Sequence, residues 1–182
     1  ASCLVGSEMC IRDRNISKEQ SKALVLVFTN LMNRKATSLG CNSTHYITPN
    51  GLDASDDADI HSTTAYELAV VMSYCIKNEH FLSITQTHDY SFTSLSGRKY
   101  SVSNANAFLN MYDNIISGKT GFTGDAGYCY VCAYRDNDRT FIVALLACGW
   151  PDNKTYKWSD AKHLLDYARA SYTTVSYTHL RA

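Results

Sequence analysis

Apolar positions recur along this chain at two different periods, and the change of period divides it. The first helical stretch opens at Ser17-Lys-Glu-Gln20, which has capping-box form: hydroxyl and amide each satisfy the other residue's free backbone N–H. Leu24, Phe28, Leu31, Met32, Lys35 and Leu39 follow at three- and four-residue spacing, with Ala36 beside them. Gly40 stands where a helix C′ residue belongs. Cys41 to Ile60 is rich in turn formers, with Pro49-Asn50-Gly51 and the aspartates Asp53, Asp56, Asp57 and Asp59. Thr64-Ala-Tyr-Glu67 is a second capping-box sequence. Leu68, Val71, Met72, Cys75 and Ile76 then predict one apolar helix face, running to about Asn78. Residues 81–92 are mixed, with Tyr90 and Phe92 alternating as in a strand, and Ser94 to Asn106 reads as a polar loop.

The period then shortens to two. Strands are predicted over Ile115–Thr123, Gly127–Tyr134 and Arg139–Cys148. Tyr128, Tyr130, Cys132 and Tyr134 share one face of the second. The third is apolar on both faces, which predicts a central position. Arg135-Asp-Asn-Asp138 is a hairpin connection, and links this short make antiparallel neighbours. A last helix is predicted from about Lys154 to Ser171, with Trp158, Ala161, Leu164, Leu165 and Ala168 as the stripe that packs on the sheet. The fold class is α/β (α+β): antiparallel strands packed with helices.

The ends do not join this pattern. Residues 1–14, ASCLVGSEMCIRDR, show neither period, and residues 173–182 follow a finished helix without a stop signal. Both strings resemble translated sequencing-adaptor tails found at the ends of unrelated sequences, so 15–172 is taken as the folded unit. On that reading the parent frame is expected to continue beyond both ends.

Composition narrows the function. Of 182 residues 45% are hydrophobic and 19% charged, enough for a packed core. Lys+Arg 17 balance Asp+Glu 17 with no run of like charge, which argues against nucleic acid or an anionic membrane surface as partner. No run of about 18 apolar residues offers a membrane segment. Outside the ends, Cys41, Cys75, Cys129, Cys132 and Cys148 are too scattered for a disulfide framework. Cys129 and Cys132 fall on opposite faces of their strand, which excludes a zinc pair. His45, His61, His80, His88 and His163 have no metal partner at strand or helix spacing, and the Asp53–Asp59 cluster lacks the calcium-loop spacing. No metal or other cofactor is expected.

The sharpest chemical signal is Gly118-Lys119-Thr120-Gly121-Phe122-Thr123, where an ammonium and a hydroxyl sit among glycines on a strand leading into a hairpin. Together they suit a carboxylate ligand. Lys119 and Thr120 point to opposite faces of an ideal strand, so serving one site requires a bend or twist. Gly121 suits close approach of another backbone.

K-T-G is the third element of the set S-x-x-K, S-x-N, K-T-G shared by penicillin-binding proteins and class A β-lactamases. With Leu31-Met-Asn-Arg-Lys-Ala36, Thr44-His-Tyr-Ile-Thr-Pro-Asn-Gly-Leu-Asp53, His61-Ser-Thr-Thr-Ala-Tyr-Glu-Leu-Ala69 and Asn104-Ala-Asn106 upstream, the ordered series resembles the D-alanyl-D-alanine carboxypeptidases, the low-molecular-weight penicillin-binding group of peptidase family S11. Tyr100-Ser-Val-Ser-Asn-Ala-Asn106 and Ala147-Cys-Gly-Trp-Pro151 look like its clostridial branch. The resemblance implies a partial β-lactamase/DD-peptidase-like fold and a serine acyl-enzyme mechanism outside the cytoplasmic membrane. It implies as partners a stem peptide ending in D-Ala-D-Ala and, for the intact parent, β-lactams. By it Lys119, Thr120 and Gly121 are catalytic-motif residues, and Lys119, Thr120, Phe122 and Thr123 bind substrate, the Phe122 N–H facing the oxyanion.

The resemblance implies S-x-x-K and S-x-N upstream of the Leu31-Met32 helix, where this sequence has neither. Ser96-Gly97-Arg98-Lys99 matches S-x-x-K by chance: it follows the Asn50-Gly-Leu52 turn, and Gly97 in a Ser-rich stretch argues against the required helix. The chain alone is therefore expected to be inactive. The alternatives are a non-catalytic wall-binding module or pseudogene product, and a β-lactamase relative.

Overall fold

A computed structural model describes residues 17–172 apart from Ala58; residues 1–16 and 173–182, and with them the foreign-tail readings, lie outside the described residues. Helix α1 (Lys18–Ser38) starts at the predicted capping box. Gln20 N–H donates to Ser17 Oγ at 3.2 Å, and Ser17 N–H to Gln20 Oε1 at 2.9 Å. It stops at Gly40, whose φ of +84° suits a residue without Cβ. Helix α2 (Ala65–Cys75) begins at Thr64, and α3 (Glu79–Thr85) occupies part of the segment read as mixed. Asn78 caps α3 through Phe81 N–H, a start signal that its short length concealed.

Strands β1 (Asp89–Thr93) and β2 (Lys99–Ser103) form an antiparallel hairpin. The reading of residues 94–106 as a loop is corrected here: Tyr100 and Val102 alternate with serines opposite Phe92 and Tyr90. Every residue of the two strands is exposed, so their alternation lacked the apolar contrast that marks a buried strand. Phe92 stacks on Tyr100 with ring centroids 5.1 Å apart.

After the short helix α4 (Phe108–Met111) come β3 (Ile115–Thr123), β4 (Gly127–Asp136) and β5 (Arg139–Leu145), in the antiparallel order β3-β4-β5. β4 is central in this sheet and β5 lies at its edge, which corrects the central position predicted for the third strand. Apolar residues on both faces of β5 reflect helices above and below it, not neighbours on both sides. Arg135 and Asp136 extend β4, leaving Asn137 and Asp138 as the turn, with Asn137 at φ +51°. A 3₁₀ turn (Pro151–Asn153) precedes the last helix, α5 (Tyr156–Ser171).

The layers follow from the period-two pattern of β4. Tyr130, Cys132 and Tyr134 face Phe108 of α4 and Ala161 and Leu165 of α5. Val131 and Ala133 face Met72 and Ile76 at the end of α2, with Phe81 and Leu82 of α3 packed alongside. A strand covered on both faces reads as a continuous buried run, and residues 130–134 are all buried. Of the predicted α5 stripe, Ala161 and Leu165 are buried, whereas Leu164 is exposed.

Candidate active site

A cleft of about 780 Å³ runs along β3 at the sheet edge. Consecutive residues 118–123 border it on one side, and Asn50, Gly51 and Leu52 of the α1–α2 loop on another. Residues 104–106, Tyr128, Lys157 and Trp158 complete it. This resolves the difficulty of Lys119 and Thr120. A cleft lying along the free edge of a strand is reached from both faces, so both residues border it. Gly121 has open space where a Cβ would stand.

All five predicted residues, Lys119, Thr120, Gly121, Phe122 and Thr123, are thus brought together. The Lys119 ammonium is exposed and folds back to donate to the Thr120 carbonyl. The Phe122 ring leans on Tyr128, centroids 4.5 Å apart. Thr123 also serves the turn, its hydroxyl accepting from Ala126 N–H at 3.1 Å.

The floor rests on residues that the sequence pattern named without a role. Asn104 Nδ2 donates to the carbonyls of Thr85 and Thr87 at the end of α3, and its Oδ1 accepts from Asn106 N–H. Asn106 is buried against Gly118. Its Oδ1 accepts from the Tyr130 hydroxyl at 2.8 Å, while its Nδ2 has no partner among the described residues. Burial raises the Tyr130 phenol far above its ordinary range, so it stays a neutral donor.

Lys157 was missed. It stands four residues before Ala161 and eight before Leu165, on the buried stripe of α5, and a lysine on an apolar stripe was the available signal. It is only 7% exposed. Its ammonium lies 4.4 Å from the Tyr128 ring centroid and 4.8 Å from that of Trp158, and donates to the Lys154 carbonyl. Desolvation lowers its pKa. Neither Lys119 nor Lys157 takes part in an ion pair among the described residues. One cleft therefore holds two cations without a carboxylate between them.

No serine lines the cleft among the described residues. Ser96 sits at the β1–β2 turn with its hydroxyl 2.9 Å from that of Ser94, in no helix. A further S-x-x-K occurrence, Ser159-Asp-Ala-Lys162, escaped the pattern reading. It has helical geometry on α5, but both residues are exposed and Lys162 is paired with Asp166 at 2.6 Å. Buried Cys132, its thiol pushed up to about 12 by desolvation, and Cys148, pushed up to about 11, are poor nucleophiles. Among the described residues no group of three His, Cys, Asp or Glu is placed to hold a metal ion, and no helix is long and apolar enough to cross a membrane.

The D-alanyl-D-alanine carboxypeptidase DacF of Bacillus subtilis is 26% identical over 147 residues, 81% of this chain and 36% of that protein. DacB2 of Mycobacterium tuberculosis is 32% identical over 139 residues, 76% of this chain and 47% of its own length. The chain thus spans a third to a half of these two relatives. Among solved structures, the D-alanyl-D-alanine carboxypeptidase of M. tuberculosis H37Rv superposes with a TM-score of 0.74 at 29% identity, over 88% of this chain and 61% of that one. The Streptomyces K15 DD-transpeptidase gives 0.73 at 28%, over 87% and 60%. The family model described as D-alanyl-D-alanine carboxypeptidase, peptidase S11, matches residues 25–148, and with the K-T-G strand bordering a cleft in a DD-peptidase fold this chain belongs to that family.

Proposed function

We propose that the chain carries the K-T-G side of the substrate cleft of a serine-type D-Ala-D-Ala carboxypeptidase that removes the terminal D-alanine of peptidoglycan stem peptides outside the cytoplasmic membrane. The observation that carries this reading is a pair of ammonium groups, Lys119 and Lys157, with no ion-pair partner among the described residues, on a cleft bordered by a strand edge. A peptide ending in D-alanine supplies what that cleft lacks: a carboxylate for the cations, and an extended backbone for the edge. Thr120 donates its hydroxyl to the carboxylate. The Phe122 N–H serves the oxyanion, a preorganised donor of a kind worth about 3–4 kcal/mol in the transition state. Lys119 adds positive charge and part of the proton network. β-Lactams enter the same cleft in the intact parent.

The acyl-enzyme step needs a serine hydroxyl beside a base, and none borders the cleft among the described residues. We therefore assign this chain, by itself, binding without turnover. Incubation with a diacetylated tripeptide ending in D-Ala-D-Ala is expected to release no D-alanine; measurable release overturns that assignment. Binding of the same tripeptide, followed by amide shifts of residues 118–123, is expected to weaken about tenfold or more in Lys157→Met, as for loss of a charge-assisted hydrogen bond. Shifts confined to other surfaces would refute the site.

A further inference from the structure

The wall of the cleft contributed by Asn50, Gly51 and Leu52 belongs to a loop with little regular structure. Two isolated bridges, His45 with Ser62 and Ser55 with Ile60, close it. Its interior is organised around the imidazole of His61. Nδ1 of that ring accepts from Ile47 N–H at 3.0 Å and from Thr48 N–H at 3.3 Å. Accepting twice requires a free lone pair, so the ring is neutral with its proton on Nε2. The ties continue to the cleft. The Thr48 hydroxyl donates to the Leu52 carbonyl at 3.0 Å, and Leu52 N–H donates to Asn50 Oδ1 at 3.1 Å. The His61 backbone is itself fixed, its N–H donating to the Ala54 carbonyl at 2.9 Å. His61 does not border the cleft; it acts through residues 47–48.

We propose that His61 is a positioning residue for this wall: its neutral Nδ1 holds Ile47 and Thr48 where Asn50–Leu52 face the K-T-G strand, and protonation of that nitrogen releases them. A protonated Nδ1 would set a third donor against two N–H groups, leaving all three without an acceptor. The titratable groups facing the ring are Tyr46, with ring centroids 5.8 Å apart, His45 and Asp53; Asp56 is tied to His45 at 3.0 Å. Desolvation first, then His45, lower the His61 pKa from 6.5, with Asp53 acting the other way. The sign follows. The docked loop binds fewer protons than the released one, so docking is whole above about pH 6.5 and weakens as pH falls through the lowered value. The proposal rests on the carboxypeptidase reading for what the wall contacts, but not for how the loop is held.

Hydrogen–deuterium exchange of the full chain at high dilution, from about pH 7.5 to about pH 5 and corrected for intrinsic exchange, tests it. Peptides covering 45–53 are expected to lose protection by roughly tenfold per pH unit between about pH 6.5 and the lowered docked-state value and to level off below it, while the 131–134 segment of β4 keeps its protection. His61→Gln, which keeps an acceptor but does not titrate, is expected to flatten the profile. A wild-type 45–53 profile that is flat, or that falls in step with β4, overturns the proposal; so does the same acid loss in His61→Gln. Should that variant not fold, the two wild-type profiles decide alone. Tripeptide binding is read separately at pH 7.5, where the loop is docked, so its failure strikes the proposed function and not the role of His61.

Discussion

Gly118 is the residue with least freedom in the cleft. A Cβ there would lie 2.5 Å from Asn106 Nδ2 and 3.0 Å from the Tyr130 hydroxyl, and both neighbours are buried. Gly118→Ala is expected to cost about 1–3 kcal/mol, the range for overpacking a filled site. Gly121→Ala, whose added Cβ meets nothing within 4 Å, is the control. Urea midpoints compare them, and equal midpoints would show that the Asn106–Gly118 contact is slack. The K-T-G triplet was legible because its residue types name their own chemistry. The need for glycine at 118 was not, because it depends on a side chain that a turn and a helix bring back onto the strand. Lys157 lay between: visible as an anomaly on an apolar stripe, but given a purpose only by Tyr128 and Trp158 beside it.

At the scale of elements, the start of α2 shows how tertiary partners reassign a local motif. Thr64 accepts from Glu67 N–H at 3.1 Å, which is half of the expected capping box. The Glu67 carboxylate does not return to Thr64. It accepts from Ser43 N–H at 2.9 Å and from the Thr44 hydroxyl at 2.5 Å, fastening the α1–α2 loop to the helix. These donors, the Thr44 hydroxyl first, lower its pKa from 4.5. The stability it adds is present above that unfolded value and is lost as pH falls through the lower folded one. Glu67→Gln is expected to be less stable than wild type at neutral pH, with denaturant midpoints converging between about pH 5 and about pH 3. A gap that stays constant over that range would assign the loss to packing. The strands β3 and β4 and helices α1 and α5 were legible because each carries its period over nine residues or more. Helix α3 and strand β2, seven and five residues long, were not.

For the whole molecule, behaviour in solution is governed by the apolar surface that stays uncovered. On α1, Leu24, Leu26, Val27, Phe28 and Leu31 are between 49% and 61% exposed, and only Thr29 and Ala36 are buried. A helix apolar on most sides belongs in an interior. Here β5 also leaves an apolar strand at the sheet edge, an invitation to pairing. The chain is expected to self-associate with rising concentration, seen by light scattering, and Leu24→Glu with Phe28→Glu is expected to shift it toward monomer. A monodisperse wild-type monomer at high concentration would refute this. The sequence by itself determined helices α1, α2 and α5, strands β3, β4 and β5, the α/β class, the K-T-G signal and the absence of an S-x-N, since periodicity and residue chemistry are local properties. Only the tertiary structure decided that β4 rather than β5 is central. It alone brought Lys157 and Asn50–Leu52 to the cleft, and made His61 the tether of that wall. Each of these depends on which distant surfaces meet, and no window of neighbouring residues records that.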